Sequence, residues 1–213
     1  MVTKIDIYSQ MIPPKGSSFY LFSKRVIDIL VSAIMLFLLF SPLFIIICFI
    51  NLLSSAHRYP VFFCQKRTGL YGKTFNCYKF RSMKTSSKYA QTDSERVSRF
   101  GLFMRKYSVD EIPQFFNVLI GNMSLVGPRP HMLRHTIQYA NLVANYKSRH
   151  RVKPGLTGYA QVLGYRGDLR ELRYMEKRIE CDLWYIQNRN LFMDLKIIFL
   201  TPVSVFKKIK PFH

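Results

Sequence analysis

Acidic residues are scarce in this chain, 12 against 32 lysines and arginines in 213 residues, so two in a row stand out. Asp110 and Glu111 lie within Tyr107-Ser108-Val109-Asp110-Glu111-Ile112-Pro113-Gln114. Ser108-x-x-Glu111 matches a capping box, but with Ser108 as N-cap, Pro113 falls where an intrahelical donor is required. Starting the helix at Asp110 moves Pro113 into the first turn, where its missing N–H costs nothing. Both carboxylates then sit at the positive end of a helix beside Arg105 and Lys106, a setting that lowers carboxylate pKa and keeps the pair ionised. An ionised aspartate so placed can attack phosphorus. Its neighbour can hold Mg²⁺, which takes one or two carboxylates plus substrate phosphate oxygens.

The cations that would accompany such chemistry gather on short turns: Gln65-Lys66-Arg67-Thr68-Gly69, Lys79-Phe80-Arg81, Arg105-Lys106, and Arg129 within Gly127-Pro128-Arg129-Pro130. Arginine and lysine on rigid turns suit phosphate oxygens; taken singly, each is equally a solvated surface charge. Pro128 and Pro130 mark an unhelical turn with room for a cis bond. His131 and His135 have the i, i+4 spacing of zinc sites, but no glutamate lies between them and no third ligand is evident, so both are assigned structural or surface roles. Cys48, Cys64, Cys77 and Cys181 are isolated, which argues against a metal cluster or disulfide framework and fits a reducing compartment.

These residues need a scaffold, and the composition limits it. The net charge is +20 with 49% apolar residues, too apolar for a disordered chain. Residues 29–50 carry no charge and form the one stretch long enough for a bilayer, which excludes a polytopic membrane protein. About two dozen residues precede it and no small-residue cleavage site follows, unlike a signal peptide. Ser41-Pro42 interrupts it: Pro42 removes a donor and clashes with the preceding turn, and the Ser41 hydroxyl can satisfy a freed carbonyl. Lys24 and Arg25 precede the stretch; His57, Arg58, Lys66 and Arg67 follow it. A spanning helix would carry one basic flank outside, against the positive-inside rule, whereas a re-entrant helix broken at Ser41 and Pro42 keeps both flanks cytoplasmic. The alternative is a Pro-kinked spanning helix. Asp28 can pair with Lys24 or Arg25 on one helical face.

The expected division is an N-terminal segment at 1–23, a re-entrant membrane helix at 24–53 and a cytosolic domain at 54–213. The expected fold class is α+β and helix-rich, with a small β-hairpin and amphipathic interfacial helices. Residues 61–65 and 74–80 read as the hairpin strands around Gly69-Leu70-Tyr71-Gly72, and residues 82–94 as a polar loop. Ile112, Phe115, Phe116, Leu119 and Ile120 recur at helical spacing, with Gly121 as the stop. Helices are expected over residues 131–146 and 168–187, the latter with Leu172, Met175, Ile179 and Ile186 on one stripe. The apolar tail at 191–206, interrupted by Asp194, Lys196 and Pro202 and followed by Lys207, Lys208 and Lys210, reads either as an interfacial segment on anionic lipid or as a buried terminal helix.

Several motifs together resemble the bacterial sugar transferase family, the monotopic phosphoglycosyl transferases. They are Lys24-Arg25-x-x-Asp28, the apolar stretch with Ser41-Pro42, Gln65-x-Arg67-x-Gly69, Lys79-Phe80-Arg81-Ser82-Met83, Ser108-Val109-Asp110-Glu111-Ile112-Pro113-Gln114, Asn117-Val118, Gly121-Asn122-Met123-Ser124-Leu125-Val126-Gly127-Pro128-Arg129-Pro130, Lys153-Pro154-Gly155-Leu156-Thr157-Gly158 and Asp194-Leu195-Lys196-Ile197-Ile198. The resemblance implies transfer of a sugar 1-phosphate from a UDP-sugar to undecaprenyl phosphate at the cytoplasmic face of a bacterial inner membrane, with UMP released. It implies Asp110 as nucleophile, Glu111 as Mg²⁺ ligand, Arg105 and the Pro128-Arg129-Pro130 turn at the phosphates, and Asp182 as a further acidic residue near the site. Gly164-Tyr165-Arg166-Gly167-Asp168 looks like the glucose or galactose subgroup that serves exopolysaccharide and capsule synthesis, and Arg166 is its candidate donor contact. Leu163 departs from that pattern, where the family carries asparagine. The expected partners are the UDP-sugar, undecaprenyl phosphate, anionic lipid and a second copy in a homo-oligomer, with no nucleic acid. A rival class, a membrane-anchored basic nucleic-acid-binding or scaffold protein, fits the charge but has no nucleic-acid motif in its support.

Overall fold

A computed structural model describes residues 16–53, 60–83, 97, 99–166 and 172–206. Most of the polar loop at 82–94, the flank at His57 and Arg58, Gly167 and Asp168, and Lys207, Lys208 and Lys210 lie outside the described residues.

Helix α1 (Ser18–Met35) begins at Ser17, whose Oγ accepts from the Tyr20 N–H at 3.2 Å. It runs through a π turn (Leu36–Phe40) into α2 (Ser41–Leu53). By length and composition, Ser18–Phe49 is long and apolar enough to cross a membrane. Pro42 therefore does not stop the helix. The strain is taken up one turn earlier, where the Ser41 N–H reaches back five residues to the Leu36 carbonyl. Both arms pack on the rest of the protein. Arg25 of α1 donates to the Val118 and Leu119 carbonyls at 2.6 and 2.7 Å, and Lys24 donates to the Val126 carbonyl and to Asp194. On the other arm, Ile47 is buried in one cluster with Phe80 and Met104, and Phe44 stacks on Phe62. Asp28 does not take the pairing expected of it. It accepts from Ser124 Oγ and the Leu125 N–H, at 3.1 and 2.9 Å, and so ties α1 to the segment before the Gly127 turn.

The hairpin forms as expected. Strand β1 (Phe62–Thr68) runs three residues further than the apolar pattern suggested and pairs antiparallel with β2 (Thr74–Phe80), Thr68 opposite Thr74. Helix α3 (Arg99–Lys106) leads to a 3₁₀ turn (Val109–Glu111), then to α4 (Gln114–Ile120), which ends at Gly121 with φ 94°. Strands β3 (Ser124–Val126) and β4 (Gly155–Thr157) form a parallel pair that the sequence pattern did not mark, because each has only three residues. Glycine makes the pairing possible: a Cβ on Gly155 would sit 2.1 Å from the Gly127 nitrogen. Between them lies α5 (Leu133–Ala140), shorter than the expected 131–146, followed by a 3₁₀ turn (Tyr146–Arg151) entered through Asn145 at φ 55°.

The chain finishes with α6 (Tyr159–Val162), α7 (Leu172–Asn188) and α8 (Leu191–Phe206). Met175, Ile179 and Ile186 of α7 are buried as expected, but Leu172 is exposed. Helix α8 is partly buried: Asp194, Ile197 and Ser204 are buried, while Phe192, Phe199 and Phe206 are exposed at heptad spacing. The main core joins Val118, Met123, Leu125, Val126, Val152, Tyr185, Ile186 and Ile197. The fold is α+β and helix-rich, with two small two-stranded sheets.

Candidate active site

Asp110 and Glu111 sit on the 3₁₀ turn between α3 and α4, not on a helix start. Ser108 adopts φ 57° and its side chain caps nothing, and Pro113, not Asp110, precedes the first residue of α4. Neither the capping box nor the full helix dipole is available to the pair. The two carboxylates consequently have different surroundings. Glu111 accepts from Lys79 Nζ at 2.7 Å, from Arg129 Nη1 at 3.0 Å, and from Arg129 Nη2 through its other oxygen. Burial would raise its pKa, but Arg129 and Lys79 outweigh burial and hold the carboxyl well below the usual range. Glu111 in turn raises the pKa of the Arg129 guanidinium. Asp110, 6% exposed, has Lys79 at 3.8 Å. Burial raises its pKa, Lys79 opposes this, and the Glu111 charge adds to it. The expectation that both pKa values fall holds for Glu111 and fails for Asp110, because burial exceeds the help of the surrounding cations.

Each partner is placed by a named contact. Lys79 lies on β2, and β2 is fixed to α4 by Asn117, fully buried, whose Oδ1 accepts from the Tyr78 N–H at 3.0 Å and whose Nδ2 donates to the Asn76 carbonyl at 2.7 Å. Arg129 lies on the turn after β3. No cis peptide bond occurs among the described residues, so Pro128 and Pro130 rigidify that turn in trans. The turn carbonyls accept from other segments: Pro128 from the Gly155 N–H at 3.0 Å, Arg129 from Arg149 Nη2 at 2.7 Å, Pro130 from Arg67 Nη1 at 2.6 Å.

Other expected residues fall at varying distances from this centre. Arg105 donates to Met83 Sδ at 3.2 Å, and its charge lowers the Asp110 pKa. Arg166 donates to the Gln161 carbonyl and to Ser204 Oγ. Burial lowers its pKa, and so does the charge of Arg129, while Glu111 raises it, so Arg166 lies within the field of the site. Arg81 is not brought to the pair: it donates to the Pro60 and Phe62 carbonyls and lies over the Phe63 ring. Asp182 makes no contact with the pair either. It is buried against Arg149, with Nε at 3.0 Å and Nη2 at 2.7 Å from one oxygen. Ser41 and Pro42 lie at the π turn, where Phe40 meets Phe80 and Phe116. Sequence reasoning gave Asn117 no role beyond its place in the motif Asn117-Val118, and it missed Arg149. Asn117 lies off the apolar stripe of α4, and nothing local marked Arg149.

Among the described residues no group of three or more His, Cys, Asp or Glu side chains could hold a metal ion. Mg²⁺ needs fewer protein ligands than that. Glu111 uses three of its roughly four lone-pair directions on Lys79 and Arg129. One remains on Oε2, room for a cation that draws its other ligands from phosphate and water.

The family model for bacterial sugar transferases matches residues 19–208. The chain is 48% identical over 189 residues to a UDP-glucose:undecaprenyl-phosphate glucose-1-phosphate transferase of Klebsiella pneumoniae; the match covers 86% of this chain and 39% of that relative. It is 42% identical over 191 residues to a UDP-N-acetylgalactosamine-undecaprenyl-phosphate N-acetylgalactosaminephosphotransferase of Aeromonas hydrophila, covering 87% of this chain and 44% of the relative. It is 40% identical over 198 residues to an exopolysaccharide production protein of Rhizobium leguminosarum bv. phaseoli, covering 89% of this chain and 98% of the relative. With a model match over nearly the whole described structure and a buried Asp-Glu pair under two cations, the chain belongs to the bacterial sugar transferase family.

Proposed function

We propose that this protein transfers a sugar 1-phosphate from a UDP-sugar to undecaprenyl phosphate, with UDP-glucose as the first donor to test and UDP-galactose the second. The reading is carried by the Asp110–Glu111 turn, where a carboxylate in low-dielectric surroundings stands next to one that fixes Lys79 and Arg129. Asp110 Oδ attacks the phosphorus that bears the sugar. The P–O bond to the nucleotide breaks and its electron pair leaves with UMP. A phosphosugar–aspartate remains, and the lipid phosphate oxygen then displaces Asp110 and regenerates the carboxylate. Lys79 and Arg129, held next to Asp110 by Glu111, would offset the charge that builds on the transferring phosphoryl group. Mg²⁺ on Glu111 would supply further charge neutralisation for the leaving phosphate.

Both arms of the α1–α2 element pack on the catalytic body, which supports a re-entrant anchor holding the site at the headgroup plane of the cytoplasmic leaflet. Among the relatives, the Rhizobium protein's name places it in exopolysaccharide production, and we assign the same context here, with capsule as the related outcome. The test is incubation of the purified protein in lipid with UDP-[¹⁴C]glucose, undecaprenyl phosphate and Mg²⁺. Label in the lipid phase with matching UMP release is expected. Release of UMP only from N-acetylated donors would overturn the sugar assignment and leave the reaction class.

A further inference from the structure

The turn that carries Arg129 has an unusual problem. Pro128 and Pro130 have no N–H, so the turn has few donors with which to fix itself. Instead, four successive carbonyls, from Pro128 to His131, accept bonds from four other places: the Gly155 N–H at 3.0 Å, Arg149 Nη2 at 2.7 Å, Arg67 Nη1 at 2.6 Å and the Thr68 N–H at 3.1 Å. Two of these donors are backbone groups placed by the β4 segment and by β1. The other two are arginine side chains, each with a second tether. Arg67 also donates to Gln65 Oε1 at 2.8 Å, and Arg149 holds one oxygen of Asp182 with both Nε and Nη2. The Arg149 and Asp182 side chains are 1% and 3% exposed. A buried ion pair is weak evidence for stability, since apolar residues of the same volume often serve as well. Its retention needs another reason, and a third donor of the Arg149 guanidinium ends on the backbone of Arg129.

We propose that Arg149, braced by Asp182, is a positioning residue that aims the Arg129 guanidinium at Glu111 and the donor phosphate by holding Arg129's own carbonyl. The geometry is short and direct. The carbonyl carbon is one bond from the Arg129 Cα, so a shift of the turn moves the guanidinium with it, and a misplacement of about 1 Å costs up to a hundredfold in rate. Asp182, which the family pattern places near the site, then acts through two intermediaries rather than on the substrate. This inference rests on the proposed sugar-phosphate transfer for its kinetic readout.

The test is a double-mutant cycle in the full chain reconstituted in lipid. Arg149→Met with Asp182→Leu removes both charges together, so the buried Arg178 guanidinium nearby loses one attractive and one repulsive neighbour at once. The expected result is a thermal midpoint near wild type, a kcat for UMP release from UDP-glucose lowered roughly ten- to hundredfold, and a donor KM changed by less than about threefold. In an Arg129→Ala background the same two substitutions should cost nothing further, because the group they position is gone. A merely structural role predicts the reverse: a stability loss, with activity losses that add. Wild-type kinetics in the folded variant, or additive losses over Arg129→Ala, would overturn the proposal. Should the pair variant fail to fold, Arg149→Lys, which keeps a cation beside Asp182 but gives up the planar fork that also reaches the Arg129 carbonyl, is put through the same cycle with the same kinetic expectation. Should the wild type release no UMP from any UDP-hexose, the functional reading falls. The cycle is then read on affinity for inorganic pyrophosphate, where additivity alone overturns the positioning role.

Discussion

Asp110 and Glu111 are neighbours in sequence, and the structure gives them unlike work. Glu111 carries Lys79 and Arg129 and is held ionised by them; Asp110 is pushed up by burial and has one cation at 3.8 Å. Asp110→Asn is therefore expected to abolish both the labelled phosphosugar–protein adduct and turnover while folding normally, as intact-mass analysis after donor trapping would read. An adduct that persists in this variant would move the nucleophile elsewhere. Glu111→Gln should behave differently, because it leaves two cations without their carboxylate. A stability loss on the order of 2–4 kcal/mol is expected in denaturant titration, together with lost activity. Arg166→Ala should lower donor kcat/KM by about tenfold or more, if one charge-assisted bond of about 1.5–3 kcal/mol is lost. Ser204→Ala removes the Arg166 partner on α8 and controls for its packing. At this scale the sequence was readable where residue type alone carries meaning: a paired acid in a basic chain, with Lys79 and Arg129 among the cations singled out. The turn read at Lys79 is the end of strand β2. That Arg81 and Asp182 do not touch the pair was not legible, because side-chain direction depends on tertiary neighbours that no local pattern encodes.

Elements bring these side chains together through a few polar pins, and the pins were the hardest part to foresee. Asn117 lies off the expected apolar stripe, whose Phe116 and Ile120 are exposed, yet it is fully buried and uses both ends of its carboxamide on the backbone of β2, on either side of Cys77. Asn117→Leu keeps the volume and deletes both bonds. A loss of about 1–3 kcal/mol is expected from the stranded backbone groups, with a kcat loss as Lys79 drifts from Glu111; unchanged kinetics would show that β2 holds its register without α4. The hairpin and α4 were visible in advance because apolar periodicity and Gly121 mark them. The β3–β4 pair was not, since three-residue strands leave no period to read. The 3₁₀ turn at Tyr146–Arg151 carries a pH-sensitive group. Burial pushes His150 down to about 3, and the Arg149 charge adds to this. The folded state thus refuses a proton that the unfolded chain accepts below its ordinary value near 6.5. Stability is full above that value and is lost as pH falls from about 6.5 toward 3. The thermal midpoint of His150→Leu should decline less steeply over this window than that of the wild type, and equal slopes would remove His150 from the acid response.

At the scale of the whole molecule the question is which side of the bilayer each arm of the apolar helix occupies. A straight helix from Tyr20 to Ile47 would separate its ends by about 40 Å, more than the hydrocarbon core. Yet Tyr20 donates to Asp194 of α8 at 2.9 Å, and Ile47 is buried with Phe80 of β2 and Met104 of α3. Both ends touch the same body. Exposed apolar residues lie on three helices: Phe19, Phe22 and Leu30 on α1, Ile45 and Phe49 on α2, and Phe192, Phe199 and Phe206 on α8. The proposed re-entrant anchor, with the positive-inside rule, predicts that both flanks are cytoplasmic. Single cysteines near Lys15 and Arg58, in a background with Cys48, Cys64, Cys77 and Cys181 replaced, should therefore both resist impermeant thiol reagents in intact cells and both react after permeabilisation. Labelling of the Lys15 position alone in intact cells would establish a spanning helix. Pro42→Ala sharpens the test. The π turn exists because Pro42 cannot donate to the carbonyl four residues back; with that donor restored, the segment gains a regular α-helical path and with it the straight, spanning alternative. A fraction of Pro42→Ala molecules should then label at the Lys15 position, and sugar-phosphate transfer should fall by the same fraction, since a molecule whose arms part no longer holds Phe40 against Phe80, one residue from Lys79.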